Sequence, residues 1–107
     1  MNDVARAFER NMLDDSREYT RVTKTSPSRY LQMINDNGGV ETARRLAIHP
    51  KFHEGFTRAW EHGCLELTAE YLMAYGRDRS YRSLFDDATL ASAERKLKQV
   101  GVEPKPS

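Results

Sequence analysis

Apolar residues recur every three or four positions along most of the chain, which is the spacing of amphipathic helices. In the first segment, residues 2–21, the side chains of Val4, Phe8, Met12 and Tyr19 share one face, and charged residues fill the other. Shorter segments with this spacing cover residues 27–34, 40–48, 56–62, 69–75 and 87–100. No stretch alternates long enough to predict a strand. The pattern therefore predicts an all-α fold, a compact bundle of five to six short helices.

Residues that start or stop helices mark the boundaries of these segments. Ser26 is a good N-cap and Pro27 fits the first helical position. Thr68 and Asp86 are the expected N-caps of the fifth and sixth helices. Gly38-Gly39 ends the second helix and allows a tight turn into the third. The sequence predicts one helical domain over residues 1–102, followed by a disordered tail at 103–107.

Two aromatic residues dominate the predicted core. Phe56 and Trp60 lie one helical turn apart in the fourth segment. Each buries a large area when it is enclosed, which matters for a chain of only 107 residues. We expect both rings to be buried.

The overall charge excludes a general attraction to nucleic acid or to an anionic membrane. Seventeen Lys and Arg face sixteen Asp and Glu, which gives a net charge of +1. Cys64 is the only cysteine, so an intramolecular disulfide is excluded and a reducing compartment is favoured. No apolar run approaches the roughly 18 residues that a membrane span needs, and the first residues do not resemble a signal peptide. We expect a cytoplasmic protein without a membrane partner.

Several motifs resemble those of a known family. They are Tyr30-Leu31, Gly38-Gly39-Val40, Ala43-Arg44-Arg45-Leu46, residues 55–63 and Leu65-Glu66-Leu67-Thr68. Through them, residues 29–101 resemble a family of small, uncharacterised helical bacterial proteins, which also occur as C-terminal extensions of restriction and other defence-type proteins. The match departs after Thr68. The resemblance implies a setting in bacterial defence or mobile genetic elements, and it implies no catalytic residue.

The residues that could act in catalysis or bind a metal ion do not have the spacing of a specific catalytic or metal-binding motif. Three histidines and the only cysteine lie close together in the sequence: His49, His53, His62 and Cys64. Pro50 separates the first two histidines, and no Cys-x-x-Cys or similar metal-ligand pair occurs. Arg44 and His49 have the spacing of a short motif of certain helical ribonucleases, but that motif is not specific. We therefore rank an enzyme last and expect no catalytic centre, no metal site and no cofactor.

The preferred prediction is a non-catalytic binding module that acts by protein–protein contact. The apolar stripe of the first helix, which includes Phe8, Met12 and Tyr19, is the predicted partner-binding surface. A protein of a defence complex is one candidate partner. A second copy of the chain, forming a homodimer through the same helix, is the other.

The alternative prediction is a small DNA-binding protein similar to a helix-turn-helix. The Gly38-Gly39 turn joins two short helices, and Arg44, Arg45 and Arg58 are the candidate contacts to phosphates or guanine edges. A less specific explanation is a solvated helix face, in which these arginines form ion pairs with Glu41 or Glu61.

Overall fold

The computed structural model describes residues 3–76 and 78–102, which form six α-helices and two short 3-10 helices. The α-helices are α1 (Asp3–Thr23), α2 (Ser28–Asn37), α3 (Gly39–Ile48), α4 (Glu54–Glu61), α5 (Ala69–Tyr75) and α6 (Asp87–Gln99). The 3-10 helices are Leu65–Leu67 and Arg79–Leu84. No strand occurs among the described residues, so the predicted all-α bundle is confirmed. The predicted tail, 103–107, lies outside the described residues.

The long helix α1 buries its apolar stripe against the rest of the chain. Phe8 and Met12 are completely enclosed. The Phe8 ring packs edge-on against Tyr81 and Phe85, with centroid distances of 5.2 and 5.3 Å. Aromatic pairs favour this geometry. The second 3-10 helix therefore covers the amino-terminal half of α1.

Helix α3 lies at the centre of the bundle, in contact with α1, α2, α5 and α6. Small buried residues on α3, among them Gly39 and Ala43, let its neighbours approach closely. A Cβ added at Gly39 would lie 2.8 Å from the Cβ of Glu9 on α1. The Glu9 carboxylate also accepts a hydrogen bond of 2.6 Å from the Gly39 amide. Glu9 thus caps α3 from another helix, because Gly38 has no side chain to do so.

Helix α6 packs against the C-terminal end of α3. The Ser92 hydroxyl donates to the Ala47 carbonyl at 2.6 Å, and the Lys96 ammonium donates to the Leu46 carbonyl at 2.6 Å. These carbonyls belong to the last turn of α3, where no intrahelical donor remains. The C-terminal helix therefore satisfies polar groups that α3 cannot satisfy itself.

The N-caps of α5 and α6 follow the sequence prediction and the N-cap of α2 does not, whereas Gly38 ends α2 as predicted. The Thr68 hydroxyl accepts from the Tyr71 amide, and the Asp86 carboxylate accepts from the Thr89 amide. Both are the predicted N-caps. In α2 the N-cap residue is Pro27, with no side-chain hydrogen bond, so Ser26 is not the cap and Pro27 is not the first helical residue.

The prediction that Trp60 is buried is wrong. Its side chain is 54% exposed, whereas Phe56 is completely enclosed. The residues of α4 that face the core are Phe56 and Ala59. Successive residues turn by about 100° around a helix, so Trp60 lies on the far side of Phe56 from Ala59. The Trp60 side chain therefore lies outside the buried face of this short helix.

None of the described helices combines the length and apolar character that crossing a membrane requires.

Candidate functional site

A cleft of about 650 Å³ lies between α1, the start of α2, α4 and the start of α5. Its apolar lining comes from Tyr19, Pro27, Tyr30, Met33, Leu46 and Leu67. The volume is within the range of small-molecule sites, which are mostly apolar with a few polar groups. The cleft exists only in the folded chain, since its walls come from segments that are distant in sequence.

Two arginines and one carboxylate also line this cleft. Arg58 forms an ion pair of 3.1 Å with Glu54, whose side chain is 81% exposed. Arg29 makes no ion pair with any residue that the structure describes. The Tyr19 hydroxyl donates to the Gly55 carbonyl at 3.2 Å. Burial raises the pKa of Tyr19, and the nearby charge of Arg58 opposes this effect. The lining therefore has an excess of positive charge among its arginine and glutamate side chains.

His53 lies in the wall of the cleft, and contacts fix both of its ring nitrogens. Nδ1 accepts a hydrogen bond of 3.1 Å from the Phe56 amide, so His53 is the N-cap of α4. Nε2 lies 3.0 Å from a carboxylate oxygen of Glu70. Because Nδ1 accepts, Nε2 must carry the proton and donate it to Glu70. In this arrangement no nitrogen lone pair is left to act as a general base.

The partner of His53 is a fully buried carboxylate. The Oε2 atom of Glu70 that accepts from His53 lies 3.7 Å from the Lys96 ammonium. Burial alone would raise the pKa of Glu70, but the His53 hydrogen bond and the charge of Lys96 hold it below its ordinary value. Oε1 of Glu70 has no hydrogen-bond partner in the part of the chain described. The network joins α4, α5 and α6, and this arrangement indicates a structural role.

The other candidate ligands do not gather around one point. Nδ1 of His49 accepts from the Lys51 amide at 3.2 Å, and His62 is the exposed C-cap residue of α4. Cys64 is buried, and burial raises the pKa of its thiol. Within residues 3–76 and 78–102, no group of three His, Cys, Asp or Glu could hold a metal ion.

The predicted DNA contacts are engaged in ion pairs within their own helices. Arg44 and Arg45 on α3 both bind Glu41 at 2.7 Å, and their hydrogen bonds lower the pKa of Glu41 to about 2. Arg58 lies on a different helix, pairs with Glu54 and lines the cleft. Because α3 packs against four other helices, it does not project from the bundle as a recognition helix does.

The predicted partner-binding residues of α1 lie in the core. Phe8, Met12 and Tyr19 are 0%, 1% and 6% exposed. The stripe they form is covered by other elements of the same chain, so in this structure it offers no surface to a partner. The sequence pattern identified an apolar helix face correctly, but the intramolecular core uses it.

The large apolar side chains that are exposed in the described structure belong to the segment from the end of α3 to the end of α4. They are Ile48, Phe52 and Trp60, at 46%, 40% and 54% exposure. The Phe52 ring stacks on the buried ring of Phe56, with centroids 4.9 Å apart and an interplanar angle of 25°. We call Ile48, Phe52 and Trp60 the exposed apolar residues. Sequence reasoning missed their exposure because Phe52 and Trp60 fit a buried position equally well.

Comparisons with protein families, with curated proteins and with solved structures found no match to this chain. The family resemblance of residues 29–101 therefore stays a prediction.

Proposed function

We propose that this chain is a non-catalytic binding protein that acts by contact with another protein through its exposed apolar residues. One observation carries the proposal: the exposed large apolar side chains of the described structure occur together in residues 48–60. Single exposed apolar residues are normal, whereas a contiguous exposed apolar patch is typical of an interaction surface, and the proposal is that these three side chains contribute to one.

The aromatic members of this surface suit a binding role. Trp is enriched among the residues that dominate interface energies. Phe52 is held by stacking on Phe56, which is itself completely buried. Binding would therefore lose little side-chain entropy at Phe52. Trp60 adds the largest apolar area of the three residues, and it is not one of the buried core residues.

The contacts of the histidines support a non-catalytic role. His53 is the histidine in the cleft wall, and both of its ring nitrogens are committed to hydrogen bonds. His49 binds the backbone of its own loop. Neither arrangement presents an activated base to a nucleophile, which general acid–base chemistry requires.

The proposed setting is cytoplasmic and linked to bacterial defence or mobile elements, as the family resemblance implies. A buried, free cysteine is compatible with a reducing compartment. A DNA-binding role has no specific observation in its favour, since its three candidate arginines are paired with glutamates.

The proposal is tested by replacing Trp60 with the photoreactive residue p-benzoylphenylalanine in native cells. Irradiation should give a crosslinked product with a defined protein, identified by mass spectrometry. The same residue at Lys98, which is exposed on α6, is the matched control. Crosslinks that are equal at both positions, or absent from position 60, would contradict the proposal. A homodimer would appear as a crosslink between two copies of this chain.

The purified partner should then bind wild-type protein and shift the emission of Trp60, the only tryptophan, to shorter wavelength. Trp60→Ala should weaken binding by about 2 kcal/mol, the scale of an interface hot spot. It should leave folding unchanged, since the side chain lies outside the core. An unchanged affinity for Trp60→Ala would exclude this surface.

A further inference from the structure

We infer that the cleft between α1, α2, α4 and α5 is a binding site for a small molecule with an apolar or aromatic body and a single acid group. This site is separate from the proposed protein contact. Arg58 faces the cleft and Trp60 follows two residues later, which places them roughly 200° apart around α4. Arg58 and Trp60 therefore lie on opposite sides of that helix.

The walls of the cleft determine the body of the ligand. Tyr30 and Met33 of α2, Leu46 of α3 and Leu67 of the first 3-10 helix contribute apolar surface from three different elements. A volume of about 650 Å³ is enough for a drug-sized molecule. Met side chains adapt to ligands of different outline, and aromatic rings pack well on a tyrosine face.

The charged side chains determine the acid group. Arg29 has no ion-pair partner in the described structure, and the only acidic partner of Arg58 is the largely exposed Glu54. An exposed i,i+4 pair of this kind contributes little, so a ligand carboxylate can compete for Arg58. Arginine binds carboxylates with paired hydrogen bonds.

The Tyr30 hydroxyl adds a neutral hydrogen-bond donor. It makes no hydrogen bond to another described residue, and burial raises its pKa, so it keeps its proton. Two arginines, one of them already paired, suit one acid group better than the several charges of a nucleotide polyphosphate. The predominantly apolar lining favours the same conclusion.

The test compares two probes of equal shape, 2-naphthaleneacetate and the neutral 2-naphthaleneacetamide. Binding to the intact chain is measured by calorimetry and by amide chemical shifts. The acid should bind saturably with shifts around Tyr30, Gly55 and Leu67, and the amide should bind at least about tenfold more weakly, as expected for losing a hydrogen bond to a charged group. Equal affinities, no saturable binding of the acid, or shifts elsewhere would overturn the inference.

Three variants test which side chains bind the acid group of the probe. Arg58→Gln and Arg29→Gln should each weaken binding of the acid about tenfold while leaving binding of the amide unchanged. Arg95→Gln, at an exposed position of α6, is the matched control and should change neither. If Arg58→Gln fails to fold, the affinity of Arg29→Gln for the acid is the deciding measurement. An affinity equal to that of the wild-type protein then overturns the inference. Trp60→Ala should not alter probe binding, which separates this test from that of the protein contact.

Discussion

At the level of single residues, Asp15 on α1 is an acid in an unfavourable environment. Burial, followed by the charges of Asp14 and Glu66, raises its pKa from 3.8 to about 7. The folded state therefore holds a proton between these pH values that the unfolded state has released. Stability from this group is complete below about pH 3.8 and is lost as the pH rises towards 7.

Asp15→Asn should consequently stabilise the protein at pH 8 by about 1–3 kcal/mol, a discounted value because the side chain is not fully buried. At pH 3.5 the gain should nearly vanish. Urea unfolding at both pH values measures the difference. Asp36→Asn is the control, because Asp36 is exposed on α2 and is not among the charges that raise the pKa of Asp15. A gain for Asp15→Asn that does not depend on pH would contradict the assignment.

At the level of the elements, the sequence predicts best those features whose partners are local. Thr68 and Asp86 cap helices from a distance of three residues, so pattern and capping chemistry place α5 and α6 correctly. The cap of α3 comes from Glu9, 30 residues away, and the donor to its last turn is Lys96, 50 residues away. No local pattern contains such pairs.

The sequence does not predict the candidate site for the same reason, because its residues are distant from one another along the chain. His53 was identifiable as a residue that could carry chemistry, but its contact with Glu70 spans 17 residues and two helices. The cleft forms only when six elements are in place, because α1, α2, α3, α4, the first 3-10 helix and α5 all contribute to its lining. The exposure of Trp60 depends on which arc of α4 faces the core, and an eight-residue helix with several apolar residues does not specify that arc.

The contact of α1 with α3 gives a prediction at this scale. Gly39→Ala should destabilise the protein by about 1–3 kcal/mol, because the new methyl group would collide with Glu9 and Met12. Thermal and urea unfolding measure the loss.

Gly63→Ala is the comparison variant for this prediction. Gly63 has a positive φ of 70° but nothing within 4 Å of an added Cβ, so its cost comes from the backbone alone. If Gly39→Ala leaves the free energy of unfolding unchanged, the close approach of α1 and α3 is refuted.

At the level of the whole molecule, the described helices pack around a shared core. The radius of gyration is 12.6 Å, close to the ~13 Å expected for a compact domain of this length. Leu97 on α6 is completely buried, and α6 contacts both α3 and α5. The last helix is therefore part of the common core, and we expect it to unfold together with the others.

Leu97→Ala should lower the free energy of unfolding by about 2–5 kcal/mol, a large part of the ~5–15 kcal/mol typical of a domain. Circular dichroism in urea should still show one transition. Lys98→Ala, at the exposed neighbouring position, should have an effect of less than about 0.5 kcal/mol. Two separate transitions, or equal effects of the two variants, would show that α6 is not integral to the fold.

The contacts that α6 makes with α3 and Glu70 also bear on how the chain is assembled during synthesis. Every residue before Asp87 leaves the ribosome while the final turn of α3 still lacks Ser92 and Lys96. The Glu70 carboxylate then has no ammonium group beside it. Because these partners follow α3 and α5 in the chain, the nascent protein completes the contacts of both helices only after α6 has emerged.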